Sequence, residues 1–186
     1  MRKTTKKDTL SLVTEAILGK PCYLVQQGHG SFLTLNFGQP KLSIREPIKS
    51  NAKSTASERI KKHLALRTVN VYGKYHLWIY MCDWLIEHQN RAIAHSESSR
   101  NRISEALKIV DGQKLTKISI EAATGDTTFI LDLGSVLKTK KFQKAVRDEQ
   151  WILFMPNNQT MTVRSDGKYA IGNGNSKPSA EKWSPI

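Results

Sequence analysis

Two stretches of this 186-residue chain alternate apolar and polar positions in the same way. One is Phe32-Leu33-Thr34-Leu35-Asn36-Phe37-Gly38; the other is Thr128-Phe129-Ile130-Leu131-Asp132-Leu133-Gly134. Side chains in a strand point to opposite faces with period two. Leu33, Leu35 and Phe37 therefore share a face, and so do Phe129, Leu131 and Leu133. Upstream of each lies a second matched piece, Gly19 to Val25 and Gly112 to Ile118. The glycines of these pieces are 93 residues apart and the strand residues 96 apart, so a single three-residue gap reconciles them. The gap falls between Gln27–Gly30 and Ala122–Asp126, where a hairpin loop tolerates a change of length.

A helical spacing precedes each glycine. Leu10, Val13 and Ile17 line one side of a helix that Asp8 or Thr9 caps. Ile103, Leu107 and Val110, with Ala106, line another that Ser96, Ser98 or Ser99 caps. Gly19 and Gly112 suit the left-handed position just past a helix end. The expected fold is α+β: a mainly antiparallel β core built from two related halves, each preceded by a short helix. Residues 1–8 form a basic tail, 9–95 the first repeat with a basic insertion at 49–63, 96–172 the second repeat, and 173–186 a C-terminal tail.

The remaining pattern fills in this outline. Lys41 to Arg45, bracketed by Pro40 and Pro47, predicts a short or edge strand. Leu66 to Val71 predicts another, with Tyr72-Gly73-Lys74 as a turn. Tyr75 to Ile86 is the most apolar run and predicts a strand buried on both faces as far as Tyr80, with Trp78 in the core. His76–Tyr80 aligns with Gln150–Phe154 as a further matched pair. His88 and His95, seven apart, fit one helix face. Phe142 and Val146 fit a helical turn within Leu137–Val146. Trp151–Met155, Met161–Arg164 and Tyr169–Ile171 read as strands joined by turns at Pro156-Asn157-Asn158 and Asp166-Gly167. Gly172 to Pro185 reads as loose, with Trp183 able to pin it.

Charge changes the picture more than composition does. Hydrophobic content of 39% and charged content of 24% are ordinary, but 29 Lys and Arg against 16 Asp and Glu leave a net charge of +13. Charge of that size bears on partners rather than on fold. It gathers at Lys49, Lys53, Arg59, Lys61 and Lys62, and again at Lys138, Lys140, Lys141, Lys144 and Arg147, which are the candidate binding residues. The first cluster also fits a solvated linker or a short helix from Ser57 to Leu64.

Candidate chemistry is sparse. No G-x-S-x-G, H-E-x-x-H, Walker loop or paired C-x-x-C occurs. Two histidines without a third ligand do not make a zinc site. Asp83 lacks a spaced acid or base, Asp132 suits bonding to nearby backbone amides, and Asp132 with Lys138 lacks the second acid of an acid-plus-lysine nuclease. The pattern leans against an enzyme and implies no cofactor and no metal. Cys22 and Cys82 are too few for a disulfide framework and read as buried thiols. No apolar run is long enough to span a bilayer, and Leu10–Leu18 is broken by Ser11, Thr14 and Glu15, against a secretory signal. A cytoplasmic location is expected.

Leu35-Asn36-Phe37-Gly38, Leu131-Asp132-Leu133-Gly134 and Leu77-Trp78-Ile79, in this order, resemble a group of uncharacterised small bacterial β-rich proteins with a duplicated strand-pair module. Some of these resemble immunity proteins. The resemblance implies a protein-binding role and no active residue; the basic charge departs from the acidic character usual for immunity proteins. The function expected is a non-catalytic binding protein, immunity-like or regulatory, whose partner is a protein or a second copy. The rival expectation is a nucleic-acid binder contacting phosphates through the two Lys/Arg clusters.

Overall fold

The computed structural model describes residues 9–49, 55–144, 146–176 and 181–186. In chain order the elements are α1 (Thr9–Glu15), β1 (Cys22–Gln27), β2 (Leu33–Arg45), α2 (Glu58–Leu64), β3 (Thr68–Ile79), β4 (Asp83–His88), β5 (Arg91–His95) and α3 (Arg100–Val110). They continue with β6 (Leu115–Ile120), β7 (Thr127–Leu131), β8 (Ser135–Lys140), β9 (Glu149–Met155), β10 (Gln159–Arg164), β11 (Lys168–Asn173) and β12 (Trp183–Pro185). The expected α+β class, mainly antiparallel β, holds: the strands form a seven-stranded sheet, β1-β2-β3-β9-β10-β11-β12, and a five-stranded sheet, β5-β4-β8-β7-β6. No helix among the described residues is long and apolar enough to cross a membrane.

The period-two pattern buries one face of each sheet. Leu33, Leu35 and Phe37 of β2 and Leu77 and Ile79 of β3 meet Phe129 and Leu131 of β7 and Leu137 of β8 in a single core. Trp151 of β9 crosses between the sheets. Its ring meets Phe129 edge-on at 5.9 Å and its Nε1 donates to Thr127 Oγ1 at 2.8 Å. Gln150 ties the layers again, accepting from Thr139 Oγ1 at 3.1 Å and donating to Thr124 O at 2.6 Å. Buried polar groups need such partners to offset their desolvation. α3, capped by Ser99, buries Ile103, Ala106, Leu107 and Val110 and ends at Gly112 with φ +88°. Gly19, after α1, has φ +71°.

Several expected boundaries move. Lys41–Arg45 is not a separate strand but the outer half of β2, which bulges between Phe37 and Pro40 and then continues. Tyr72–Lys74 is not a turn. β3 runs straight through it because Gly73 has no side chain: a Cβ there would lie 2.7 Å from both the N and the O of Phe37. Tyr75–Ile86 is two strands in different sheets, with the corner at Tyr80–Cys82. His88 and His95 sit on the hairpin β4–β5, not on a helix; Gln89 and Asn90 turn it with φ of +48° and +62°. Leu137–Val146 carries the end of β8 and a turn in place of a helical turn. His76–Tyr80 and Gln150–Phe154 run side by side, with Leu77 paired to Leu153 and Ile79 to Trp151. Trp183 does pin the C-terminal segment: its ring lies 3.9 Å under the Arg164 guanidinium, which also bonds Asp166 and holds that carboxyl below its usual range.

Candidate functional site

β2 and β3 leave the body together. β1 accompanies β2 only as far as Phe37, and β9 accompanies β3 only as far as His76, so the pairs from Pro40–Gly73 to Arg45–Thr68 form a two-stranded arm whose edges no other strand among the described residues joins. Pro40 is tolerated because its missing N–H falls in this unflanked part of β2. The register sets the two faces of the arm. Leu42 pairs with Val71 and Ile44 with Val69, so four branched side chains share the face that continues the core. They are 65%, 40%, 55% and 54% exposed, respectively. The opposite face carries Lys41 beside Tyr72, Ser43 beside Asn70 and Arg45 beside Thr68. α2 sits at the arm's end. Ser57 accepts from Ile60 N, and Arg45 donates to the carbonyls of His63 and Leu64 at 3.0 and 3.2 Å.

At the root of the arm, on the face turned away from the core, Tyr72, His76 and Trp78 meet Phe154 of β9. His76 lies edge-on to Tyr72 at 5.4 Å, and Trp78 packs against Phe154 at 5.0 Å. They border a groove of about 450 Å³ that Lys41, Lys74, Asn157 and Asn158 also line. Trp78 is thus not a core residue: its ring is 38% exposed. A buried polar chain holds it. Asn36 donates from Nδ2 to Tyr23 O at 3.3 Å, so its Oδ1 accepts, from Gly73 N at 2.9 Å and from His76 Nδ1 at 2.7 Å. That fixes the proton of His76 on Nδ1 and leaves Nε2 to accept from Trp78 Nε1. Burial pushes the His76 imidazole down to about 4, so the ring is neutral at ordinary pH.

No protein family, no curated protein and no solved structure matches this chain. Function therefore has to be read from the residues alone.

The basic candidates divide between distant parts of the fold. Lys49 and, on α2, Arg59, Lys61 and Lys62 belong to the arm's end; Lys61 is paired with Glu58 at 2.9 Å. Lys53 lies outside the described residues. Lys138 is on β8, half-buried, with Nζ 2.8 Å from both carboxylate oxygens of Glu87. Lys140, Lys144 and Arg147 are exposed at and beyond the end of β8, and Lys141 N donates to Asp126 Oδ1 at 2.8 Å. The two clusters thus lie on different sheets and do not form one strand face.

The fold assembles one group of acids that spacing did not reveal. Asp83, Glu121 and Asp126 border a hollow of about 540 Å³ with Lys138 and Lys140. Three of its charged groups are already engaged. Asp83 accepts from Ser96 Oγ at 3.0 Å, Asp126 from Lys141 N and Gln150 Nε2, and Lys138 is held by Glu87. Among the described residues no three His, Cys, Asp or Glu side chains are placed to hold a metal ion. Asp132 bonds backbone, accepting from Lys114 N at 2.8 Å. Cys22 and Cys82 are free and buried, and desolvation raises both thiols to about 12, so neither is a nucleophile at neutral pH.

Proposed function

We propose that this chain is a non-catalytic binding protein that captures another protein on the β2–β3 arm. The observation that carries the reading is the uncovered row Leu42, Ile44, Val69 and Val71. A contiguous apolar face on an open-edged ribbon is costly in water and an aggregation hazard unless something covers it. The arm's charge selects the kind of partner. Lys41, Arg45, Lys49, Arg59 and Lys62 flank or end it, while Glu46 and Glu58 are bonded to Arg67 and Lys61. An apolar patch ringed by carboxylates complements that surface, whereas a second copy would set like charges together. An immunity-like or regulatory subunit fits this role. The matching strand orders β1-β2-β3-β9 and β6-β7-β8-β4 support reading the body as two related halves, of which only the first bears an arm.

The test is a photo-crosslinking residue at Val71, with one at Asn70 on the opposite face as control, in the native host. An acidic protein captured from Val71 and not from Asn70, and lost in Leu42→Asp, is the expected result. Capture only of the chain itself or only of nucleic acid would overturn the reading.

A second reading is phosphate contact. Lys49, Arg59, Lys62, Lys140, Lys144 and Arg147 are exposed and have no acidic partner among the described residues. Gel mobility of a duplex and a single strand at low and moderate salt tests it. Binding that persists at moderate salt and is lost on changing Arg59, Lys61 and Lys62 to Glu would favour it.

A further inference from the structure

On alternate positions, the outward face of β3 reads Tyr72, Lys74, His76, Trp78: aromatic rings interleaved with a cation. Exposed Trp is usually mobile, but Trp78 is not free to turn. Its one polar atom is consumed by His76, which is locked through Asn36 to the backbone of β1. This chain, anchored at the buried Asn36, thus presents a π surface with no hydrogen bond left to offer. Phe154 backs it at 5.0 Å, and Tyr72 stands across His76. Lys41, paired in register with Tyr72, and Lys74 supply the charge, and no carboxylate lines the groove among the described residues. Asn157 and Asn158, both with positive φ near 60°, line the far side with amide groups able to give and take hydrogen bonds.

Flat rings, cations and adjustable amides select a planar heterocycle that carries an anion. A duplex hides the faces of its bases inside the stack, whereas a single strand exposes them to aromatic side chains. We propose that this groove binds a nucleobase with its phosphate from single-stranded nucleic acid, the base stacked on Trp78 and the phosphate held by Lys41 and Lys74. The site uses the face of the arm opposite the apolar row and lies outside the two Lys/Arg clusters; it shares Lys41 with the protein-capture reading but not Trp78 or Lys74, so the two are tested apart.

The experiment is fluorescence anisotropy of a labelled pyrimidine oligomer with the full chain at 150 mM salt, where the Debye length of about 8 Å screens loose attraction to a basic surface. Unlabelled duplex and unlabelled uridine monophosphate serve as competitors. Saturable binding is expected, weakened roughly 5- to 100-fold by Trp78→Ala, the range for losing one base–aromatic stack. Lys41→Gln with Lys74→Gln should weaken it as well and lower its salt dependence. Trp78→Phe keeps a ring without the N–H and should retain most of the binding, which guards against a Trp78→Ala chain that fails to fold. Competition by the monophosphate at the oligomer's own affinity supports the site with a free nucleotide as its source; competition only by longer strands supports it with a strand as its source. Equal competition by duplex, no saturable binding of the oligomer, or wild-type affinity in a folded Trp78→Ala chain would each overturn the proposal.

Discussion

Two hairpins hold comparable places in the two sheets and end very differently. β7–β8 turns at Asp132–Gly134, and its strand residues Phe129, Leu131 and Leu137 are buried. β2–β3 has the same start, with Leu33, Leu35 and Phe37 in the core and a glycine of positive φ after them, Gly38 at +74° against Gly134 at +89°. It then runs on through Pro40–Arg45 and Thr68–Gly73, where its apolar row is 40% to 65% exposed. The shorter hairpin satisfies the sheet. The extension adds nothing to the common core, so its branched side chains contribute little to folding and call for another explanation. Burial at about 25 cal/mol per Å² rewards such residues only when something covers them.

The comparison breaks hardest in the body. Trp151→Ala removes the ring that crosses from β9 to β7 and takes away the donor to the Thr127 hydroxyl, which keeps its own bond to Gly125 O. A loss of about 3–5 kcal/mol is expected, as for other buried Trp truncations. The midpoint of urea unfolding, followed by circular dichroism, measures it. A loss below about 1 kcal/mol would mean that the two sheets do not share a core.

The junction should respond next. Gly73→Ala places a methyl group against the backbone of Phe37 where the β2 bulge interrupts the ladder. Overpacking of this kind costs about 1–3 kcal/mol. Because Gly73 N also donates to Asn36 Oδ1, the shift should reach His76 and Trp78. Hydrogen exchange should show faster opening at the arm's root with the five-stranded sheet unchanged.

Acid acts on the same junction more gently. In the unfolded chain the imidazole of His76 is charged below its ordinary value of 6.5; in the fold burial keeps it neutral down to about 4. The unfolded state binds the extra proton in that window, so this group's contribution is whole above about pH 6.5 and is lost as pH falls towards 4. The groups facing it are Asn36 on β2, Tyr72 and Trp78 on β3, and Phe154 on β9, with Lys41 and Lys74 at the groove, so no carboxylate there offsets a proton on the ring. Urea midpoints between pH 4 and 7 should slope less in His76→Gln than in the wild type. Parallel slopes would remove His76 as the cause.

The sequence made the locally determined parts legible. Gly19 and Gly112 mark chain reversals, Ser57 and Ser99 cap helices, and Leu33, Leu35, Phe129 and Leu131 declare their faces by alternation alone. What stayed hidden depends on distant neighbours. Gly73 reads as a turn until the backbone of Phe37 is seen against it, and Gln89-Asn90 makes a tight turn without glycine. β3 finds β9, and β4 finds β8, far along the chain, so strands of one stretch complete the sheet of the other. The groove shows the same limit. Alternation against Leu77 and Ile79 already sets His76 and Trp78 together on the opposite face, but whether that face is covered depends on Phe154 and on the arm's departure from the body.

The smallest expected effect on stability is the one that sharpens the comparison most. Leu42→Thr with Ile44→Thr removes two of the most exposed aliphatic groups of the arm while keeping, at Thr, strand propensity. Each change should alter stability by no more than about 0.5 kcal/mol, the ordinary range for surface positions. The same substitution at Leu35, 3% exposed on the same strand, should cost about 2–5 kcal/mol through a buried hydroxyl and lost volume. The paired measurement is a urea midpoint for fold and the yield of the Val71 crosslink for surface. If the arm variants unfold as readily as Leu35→Thr, the arm is part of the core's cooperative unit and its apolar row is structural. If they keep the wild-type midpoint and lose the Val71 crosslink to an acidic protein, the row is a contact surface that folding does not need, and that is the result the exposed register of Leu42 with Val71 and Ile44 with Val69 leads us to expect.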